Sequence, residues 1–432
     1  MPREMKDSGI EWIGEIPRTW SVSRIKFACN FEPNCDFSHL KEDSIITYTP
    51  MEYIKNGYYI PNTAQYDTIS HSLTTYQEGD IVMAKVTPCF ENGNIAIMND
   101  LSSKVGMGSS ELFVFRASRI NVRYLFYWLR NDIFIQSACS TMTGTGGLKR
   151  VSPTFVKNCY IHLPNEEEQQ AIADFLDRRC AEIDAVIEQT KATIEEYKKL
   201  KQSVITEAVT KGIRGDRPMK DSGVEWIGEI PSEWSVIRTK FISDSMSKGN
   251  GITKEQIVQN GDSPCVRYGE IYSKYNYSFS NCITKTNKSM YTNLQYFSYG
   301  DILFACTGEL PEEIGKNIVY LGNEDCLAGG DIIVMKHSQN PSFLNYVYNS
   351  YGQTQKSLGK TKLKVVHISP TEIANIFVAL PSLPEQHQIA DFLDKKCSEI
   401  DKLVTKKEQI VVELEAYKKS LIYEVVTGKR SV

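Results

Sequence analysis

The sequence predicts an α+β chain: two globular mixed domains joined by two long antiparallel coiled-coil helices, with an internal pseudo-two-fold repeat. Three observations predict it. A leader segment occurs twice, a heptad-patterned run occurs twice, and between them stand two inserts of similar length and unlike sequence. The chain has 432 residues, and at roughly 100–200 residues per domain that allows two or three domains. The boundaries read as a first domain with its leader (1–162), a central helix (163–214), a second domain with its leader (215–379) and a final helix (380–432).

The leader comes first. Met5–Phe27 reads MKDSGIEWIGEIPRTWSVSRIKF and Met219–Phe241 reads MKDSGVEWIGEIPSEWSVIRTKF, identical at 18 of 23 positions at an offset of 214. It carries Trp12, Trp20, Trp226 and Trp234, four of the five tryptophans. Trp combines a large apolar surface with one N–H donor, which suits an anchor. The leader is therefore expected to dock a domain on a helix end or to form a partner surface, with plain packing as the alternative for each Trp taken singly.

The helices come next. Leu163–Asp184 (LPNEEEQQAIADFLDRRCAEID) repeats as Leu380–Asp401 (LPSLPEQHQIADFLDKKCSEID) at an offset of 217. Apolar residues then recur at alternating spacings of 3 and 4, a heptad seam. The residues expected to pair the helices are Leu176, Ile183, Ile187, Ile194, Tyr197 and Val204, with Leu393, Ile400, Val404, Val411, Leu414 and Leu421. Cys180 and Cys397 occupy equivalent seam positions and read as small core residues. Thr190, Lys201, Lys407 and Lys418 interrupt the seam and are expected to fix register. No Pro or Gly falls between 166 and 211 or between 385 and 427. Acidic first turns suit the helix dipole, and Gly212 and Gly428 mark the ends. About 45 residues make a rod of roughly 65–70 Å. Such a helix needs a partner face: the other copy, or alternatively its own globular domain.

The inserts read as α+β. Strands are expected at 45–49, 80–85, 94–97 and 111–115, and at 301–305, 317–321 and 331–335; short helices at 123–131 and 341–350; turn-rich loops at 87–94, 141–149, 248–251 and 357–364. The two inserts share little beyond Gly79-Asp80-Ile81-Val82 and Gly300-Asp301-Ile302-Leu303. Drift alone should not spare the flanks and erase the middles, so a common frame holding two recognition surfaces is the sharper reading.

Charge narrows the function. The formal net charge is −4, which excludes a uniformly basic nucleic-acid coat but not a local basic face. Between Glu111 and the first helix stand Arg116, Arg119, Arg123, Arg130, Lys149, Arg150 and Lys157 against one acid, Asp132. Between Asp331 and Glu372 stand Lys336, Lys356, Lys360, Lys362 and Lys364 with none. Each insert can thus present a basic face to phosphates, with Asn, Ser, Thr and Tyr available for base edges. The loop residues expected to contact DNA are Lys85, Thr87, Asn92, Asn94, Ser109, Ser110, Thr143, Thr145, Lys149 and Arg150 in the first insert. In the second they are Lys248, Arg267, Tyr268, Lys316, Lys360, Lys362 and Lys364. Catalytic and metal-binding patterns are wanting. Gly359-Lys360-Thr361 lacks the first glycine of a phosphate loop, Gly144-Thr145-Gly146-Gly147 lacks the strand–turn–helix pattern of a dinucleotide site, and no HExxH occurs. The eleven cysteines are dispersed without a CxxC pair, which argues for a reducing, cytoplasmic setting. No apolar run approaches the ~20 residues of a membrane span.

The twin leaders KDSGIEWIGEIP and KDSGVEWIGEIP and the helix openings LPSLPEQHQIADFLD and LPNEEEQQAIADFLD resemble those of the specificity subunits of type I restriction–modification systems, over the entire chain. The resemblance implies a non-catalytic reader of double-stranded DNA. Each insert would be a target recognition domain for one half of a bipartite site, and the helices would set the spacer and dock two modification subunits. S-adenosylmethionine, ATP and Mg are then expected on modification and restriction partners, with no cofactor on this chain. Two rivals stand beside it: an enzyme with an unrecognised nuclease or methyltransferase site, and a scaffold whose inserts bind proteins.

Overall fold

Each leader folds into a short antiparallel hairpin, Met5–Asp7 with Glu15–Pro17 and Met219–Asp221 with Glu229–Pro231, in the same register. In this computed structural model the structure describes residues 3–10, 13–70, 72–145, 147–308, 310, 313–360 and 366–432. Trp12 lies outside them.

After the first hairpin, β1 (Ser21–Arg24) leads to an antiparallel sheet ordered Cys29–Phe31, β3 (Leu112–Ala117), β2 (Ile81–Ala84), Ile95–Ile97. A second sheet is ordered Thr63–Gln65, Ile45–Thr49, Val105–Gly108, Thr74–Gln77, with one parallel pair. Helix α1 (Val122–Leu129) buries six consecutive side chains from Tyr124 to Leu129, and β4 (Tyr160–Leu163) returns to pair with β1. Helix α2 (Glu166–Lys211) follows. The second insert repeats the plan. After β5 (Ser235–Arg238), an antiparallel sheet runs Ser243–Lys248, β7 (Ile332–His337), β6 (Ile302–Ala305), Asn317–Tyr320, extended by Ser278–Phe279 in a parallel pair. Its companion runs Thr284–Thr286, Ser263–Val266, Cys326–Ala328, Tyr296–Phe297, again with one parallel pair. Helix α3 (Pro341–Tyr348), β8 (Phe377–Leu380, paired with β5) and helix α4 (Leu383–Val426) complete the chain. The inserts that share so little sequence therefore share one topology. Strand cores accept exchange among Ile, Val, Leu, Phe and Met if volume and alternation are kept. The expected element positions agree to within one to two residues at most ends. One difference is that α4 starts at Leu383, so Pro384 sits in its first turn, where the missing N–H leaves no bond unmade.

The chain divides into two units, Met1–Lys191 with Glu408–Val432, and Ala192–Lys407. In the first unit the opening half of α2 and the closing part of α4 share one core: Leu176, Cys180, Ile183 and Ile187 with Leu421, Ile422, Val425 and Val426, flanked by Val411 and Leu414. Lys418 Nζ meets both carboxylate oxygens of Asp184 at 2.6 Å, and Lys191 faces Glu415 at 3.8 Å. Ascending numbers on one helix meet descending numbers on the other, so the pair is antiparallel. In the second unit Ile205, Ala208 and Val209 share a core with Ile389, Ala390, Leu393 and Cys397, and Lys201 Nζ meets both oxygens of Asp401 at 2.7 Å. These segments are antiparallel as well. Of the remaining expected pairing residues, Ile194 and Ile400 are buried, and Tyr197, Val204 and Val404 are half-buried. Two of the four polar interruptions, Lys201 and Lys418, each take a carboxylate of the facing helix, and the Thr190 hydroxyl donates to its own helix at Val186 O, 2.7 Å. Cys180 and Cys397 are buried free thiols.

Each insert meets its helix through the same three contacts. Trp20 Nε1 donates to Glu168 Oε2 at 2.8 Å, and Trp234 Nε1 to Glu385 Oε2 at 3.1 Å. Gln169 Oε1 accepts the Asn121 amide (2.8 Å) while its Nε2 donates to Pro164 O (2.9 Å). Gln386 does the same with Asn340 and Pro381, both at 3.0 Å. Tyr127 donates to Asp177 at 2.7 Å and Tyr346 to Asp394 at 2.8 Å. Burial, and then the neighbouring thiol and carboxylate, push both phenols upward. Both tryptophans also sit on the C-terminal glycine of a long helix. Gly428 (φ +73) packs on Pro17 and Trp20, and Gly212 (φ +75) on Arg217 and Trp234, so tightly that a Cβ at either would collide. The left-handed φ at both sites favours glycine independently.

Candidate nucleic-acid interface

In the first unit, the end of β2 and the Gly-rich loop 141–150 are tied together. Val86 bridges Arg150, and Arg150 bridges Thr143. Thr87 donates its hydroxyl to Gly147 O at 2.8 Å, accepts the Lys149 amide at 2.9 Å, and gives its own amide to Lys149 O at 3.0 Å. Gly144 (φ +144) has no room for a Cβ against Leu148 O. The loop is thus a braced projection, and Thr143, Thr145, Lys149 and Arg150 on it are exposed. Arg150 grips Glu111 through three contacts of 2.5–3.1 Å, and its hydrogen bonds hold the Glu111 carboxyl below the usual carboxylate range. Lys85 stands on the other side, its amide bonded to Glu111 O and its Nζ 5.6 Å from the Phe113 ring. Ser109 and Ser110 form the turn into β3, with Ser109 Oγ accepting the Glu111 amide at 3.2 Å. The structure therefore ties Thr87, Thr143, Lys149 and Arg150 into one loop brace, with Glu111 on Arg150 and Lys85 and Ser109 bonded to the Glu111 backbone. Asn92 and Asn94 take no part in the loop brace, though Asn94 O accepts the Ala84 amide at 3.0 Å beside Lys85. They belong to the turn after Pro88, where Asn92 O accepts from Asn56 at 3.2 Å, and Asn92 lines a cavity of about 500 Å³ walled by α2 and α4.

The second unit has the same brace. Thr307–Gly308 pairs with Val366–His367, and Thr307 Oγ1 lies 3.3 Å from His367 Nδ1. Lys360 Nζ donates to His367 O and pairs with Glu372, both at 2.6 Å. Arg267 pairs with Glu270 at 3.2 Å across a helical turn that begins at the exposed Tyr268. Lys248 is exposed at the end of its strand. Lys316 faces inward, donating to Tyr272 O (3.3 Å) and Tyr275 O (3.4 Å), and burial lowers its pKa. Lys362 and Lys364 lie outside the described residues. Among the described basic candidates of the second insert, Arg267 and Lys360 already hold a carboxylate.

Sequence reasoning missed the residue that occupies Arg150's place, His367, and the carboxylate Glu111. The signal was present: Val151-Ser152-Pro153-Thr154 repeats as Ile368-Ser369-Pro370-Thr371 at the same offset of 217 as the helices, and in both units the residue before it closes the loop brace. The spacing Asn121–Tyr127 and Asn340–Tyr346 carried the helix joint in the same way. Among the described residues no group of three or more His, Cys, Asp or Glu is placed to hold a metal ion, and no helix is long and apolar enough to cross a membrane.

Comparison with known proteins bears on the family and the fold. The family model described as type I restriction modification DNA specificity domain matches twice, at residues 17–196 and 231–413. The EcoAI specificity subunit of Escherichia coli is 29% identical over 196 residues, 44% of this chain and 33% of the relative; the chain thus matches about a third of that relative's length. The MjaVIII specificity subunit of Methanocaldococcus jannaschii is 25% identical over 430 residues, covering 96% of this chain and 93% of the relative. A solved chain from a type I R-M system covers 96% of this chain and 99% of its own length at a TM-score of 0.73 and 18% identity. The HsdS subunit from Thermoanaerobacter tengcongensis covers 96% and 98% at 0.54 and 19%. With two matched copies spanning most of its length, the chain belongs to the family of type I restriction–modification DNA specificity subunits.

Proposed function

We propose that this chain is the DNA-reading, non-catalytic subunit of a type I restriction–modification complex. Each unit reads one half of a bipartite target in double-stranded DNA, the paired helices set the unread spacer, and two modification subunits dock on the shared frame. Methylation with S-adenosylmethionine and any ATP- and Mg-dependent cleavage belong to modification and restriction partners. The observation that supports this best is a contrast within the chain. The joints Trp–Glu, Gln–Asn and Tyr–Asp are identical in both units, while the bridge that closes each loop carries different side chains, Val86 and Arg150 in one and Thr307 and His367 in the other. A reader of two different half-sites needs constant mounting and variable tips.

The candidate contacts divide by chemistry. Lys149, Lys85 and Lys248 suit phosphates, which position the protein without reading sequence. Thr143, Thr145, Ser110 and Tyr268 suit base edges. Arg150 is held by Glu111 and must exchange that carboxylate for DNA if it reads a guanine through its two-pronged face. Methylation-sensitive sequencing of DNA modified by this chain with a modification subunit tests the proposal. The expected result is one bipartite motif; replacing residues 28–162 changes one half-site alone, and four residues added inside α2 lengthen the spacer alone. A continuous motif, or half-sites that change with helix length, would refute it.

A further inference from the structure

The leaders end in Arg-Ile-Lys-Phe and Arg-Thr-Lys-Phe, and in both units this end forms the same surface patch. Phe27 is 61% exposed and Phe241 72%. Single exposed apolar side chains are ordinary; two at equivalent repeat positions, each with the same neighbours, are not explained that way. Lys26 Nζ lies 5.1 Å from the Phe27 ring, and Lys240 Nζ 4.9 Å from the Phe241 ring. Arg24 stacks on Tyr160 at 5.2 Å across the β1–β4 pair, and Arg238 on Phe377 at 5.0 Å across the β5–β8 pair. Each patch is an exposed phenyl ring with a lysine on it, preceded three residues earlier by an arginine stacked on a second aromatic ring. Nothing within its own unit buries the phenyl ring, and the helix joints do not use it.

We propose that these patches are two equivalent protein-docking sites, one for each modification subunit, taking a partner surface with an apolar pocket edged by carboxylates. This rests on the proposed function and adds a contact away from the long helices. Two features select this occupant. The patch is the same in both units while the reading loops differ, so its partner is common to both half-sites and present twice. Its centre is an exposed phenyl ring, which gains from burial against protein but gains nothing from a phosphate chain; aromatic and Arg side chains together are the usual composition of binding hot spots.

The test uses the full chain co-purified with a type I modification subunit, with stoichiometry read by native mass spectrometry. The wild type is expected to hold two copies, Phe27→Asp one, Phe241→Asp one, and the double variant none. Lys26→Glu and Lys240→Glu should each weaken the binding of one copy at least tenfold, which keeps the test standing if an Asp variant misfolds by circular dichroism. DNA affinity of the free chain should stay within twofold. Two copies retained on every variant would overturn the docking sites while leaving the proposed function intact. Unchanged stoichiometry with DNA affinity lost tenfold would assign the patch to the DNA backbone and overturn it as well. A wild-type chain that holds no modification subunit would overturn the proposed function together with this inference.

Discussion

Glu385 and Glu168 occupy equivalent places at the helix joints, yet their removal should differ in effect. Glu385 accepts from Trp234 Nε1 at 3.1 Å and from Arg217 Nη1 at 2.6 Å. The side chains of Arg217 and Glu385 are only 11% and 8% exposed. Glu385→Ala therefore strands a buried guanidinium together with a buried indole N–H. Removing one partner of a buried ion pair costs about 3–5 kcal/mol because the other charge is left uncompensated. Arg217 retains Lys211 O at 2.7 Å and the exposed Glu233 at 3.1 Å, which places the expectation near the lower bound, about 3 kcal/mol. Glu168 also takes an indole, from Trp20, but its cation is Arg3, with a side chain 34% exposed. Arg3 can turn to water, so Glu168→Ala should cost about 1–2 kcal/mol, mostly the orphaned indole. Hydrogen exchange read by mass spectrometry resolves the two sites, since each variant should open only its own leader, residues 219–241 or 5–27. Glu385→Gln, which keeps an acceptor but loses the charge, should fall between. Equal losses for the two alanine variants, or a larger loss at Glu168, would refute the claim that burial of the cation sets the scale.

Three further outcomes follow from the structure. Gly212→Ala should destabilise by at least about 1–2 kcal/mol through its left-handed φ alone, whereas Gly215→Ala, with open space around it, should be near neutral in urea unfolding. Lys356 is buried with Nζ on Gly315 O (2.7 Å) and Asn317 Oδ1 (2.8 Å), and burial drives its pKa well below the usual lysine range. The unfolded lysine binds a proton that the folded one lacks, so stability should rise with pH between the lowered folded value and the unfolded value near ~10.4. Lys356→Met should flatten that rise in unfolding curves between neutral and alkaline pH, and an unchanged slope would show that the lysine is charged when folded. Lys149→Ala should weaken DNA binding alike on all sequences and lower the log–log salt slope by about 0.9, as expected for one lost phosphate contact.

The frame was legible in the sequence because its repeats are nearly verbatim. The heptad pattern placed Leu176, Ile183, Leu393 and Leu421 in buried cores, and the Gly212 and Gly428 stops closed the helices where expected. The shared plan of the inserts was not legible. Ile81-Val82-Met83-Ala84 and Ile302-Leu303-Phe304-Ala305 are the same strand, but a fully buried strand asks only for apolar bulk, so identity decays while topology holds. The candidate interface was half legible. Exposure of Lys149 follows from its loop, but the pairing of Arg150 with Glu111 across 39 positions, and of Lys360 with Glu372, depends on strand register that the composition of a loop does not contain. Lys316 shows the opposite failure: a lysine beside a strand counted as surface charge, while its stem and Nζ are drawn inward to two carbonyls.

The core of the first unit has a wall made of Leu421, Ile422, Val425 and Val426. On the ribosome, the first insert emerges long before that wall is translated. At ~5–20 residues per second, the wait lasts on the order of tens of seconds, during which the apolar face of the early half of α2 is uncovered. A nonsense codon just upstream of Leu421 would accordingly unseat the part of the protein made first and spare the part made last.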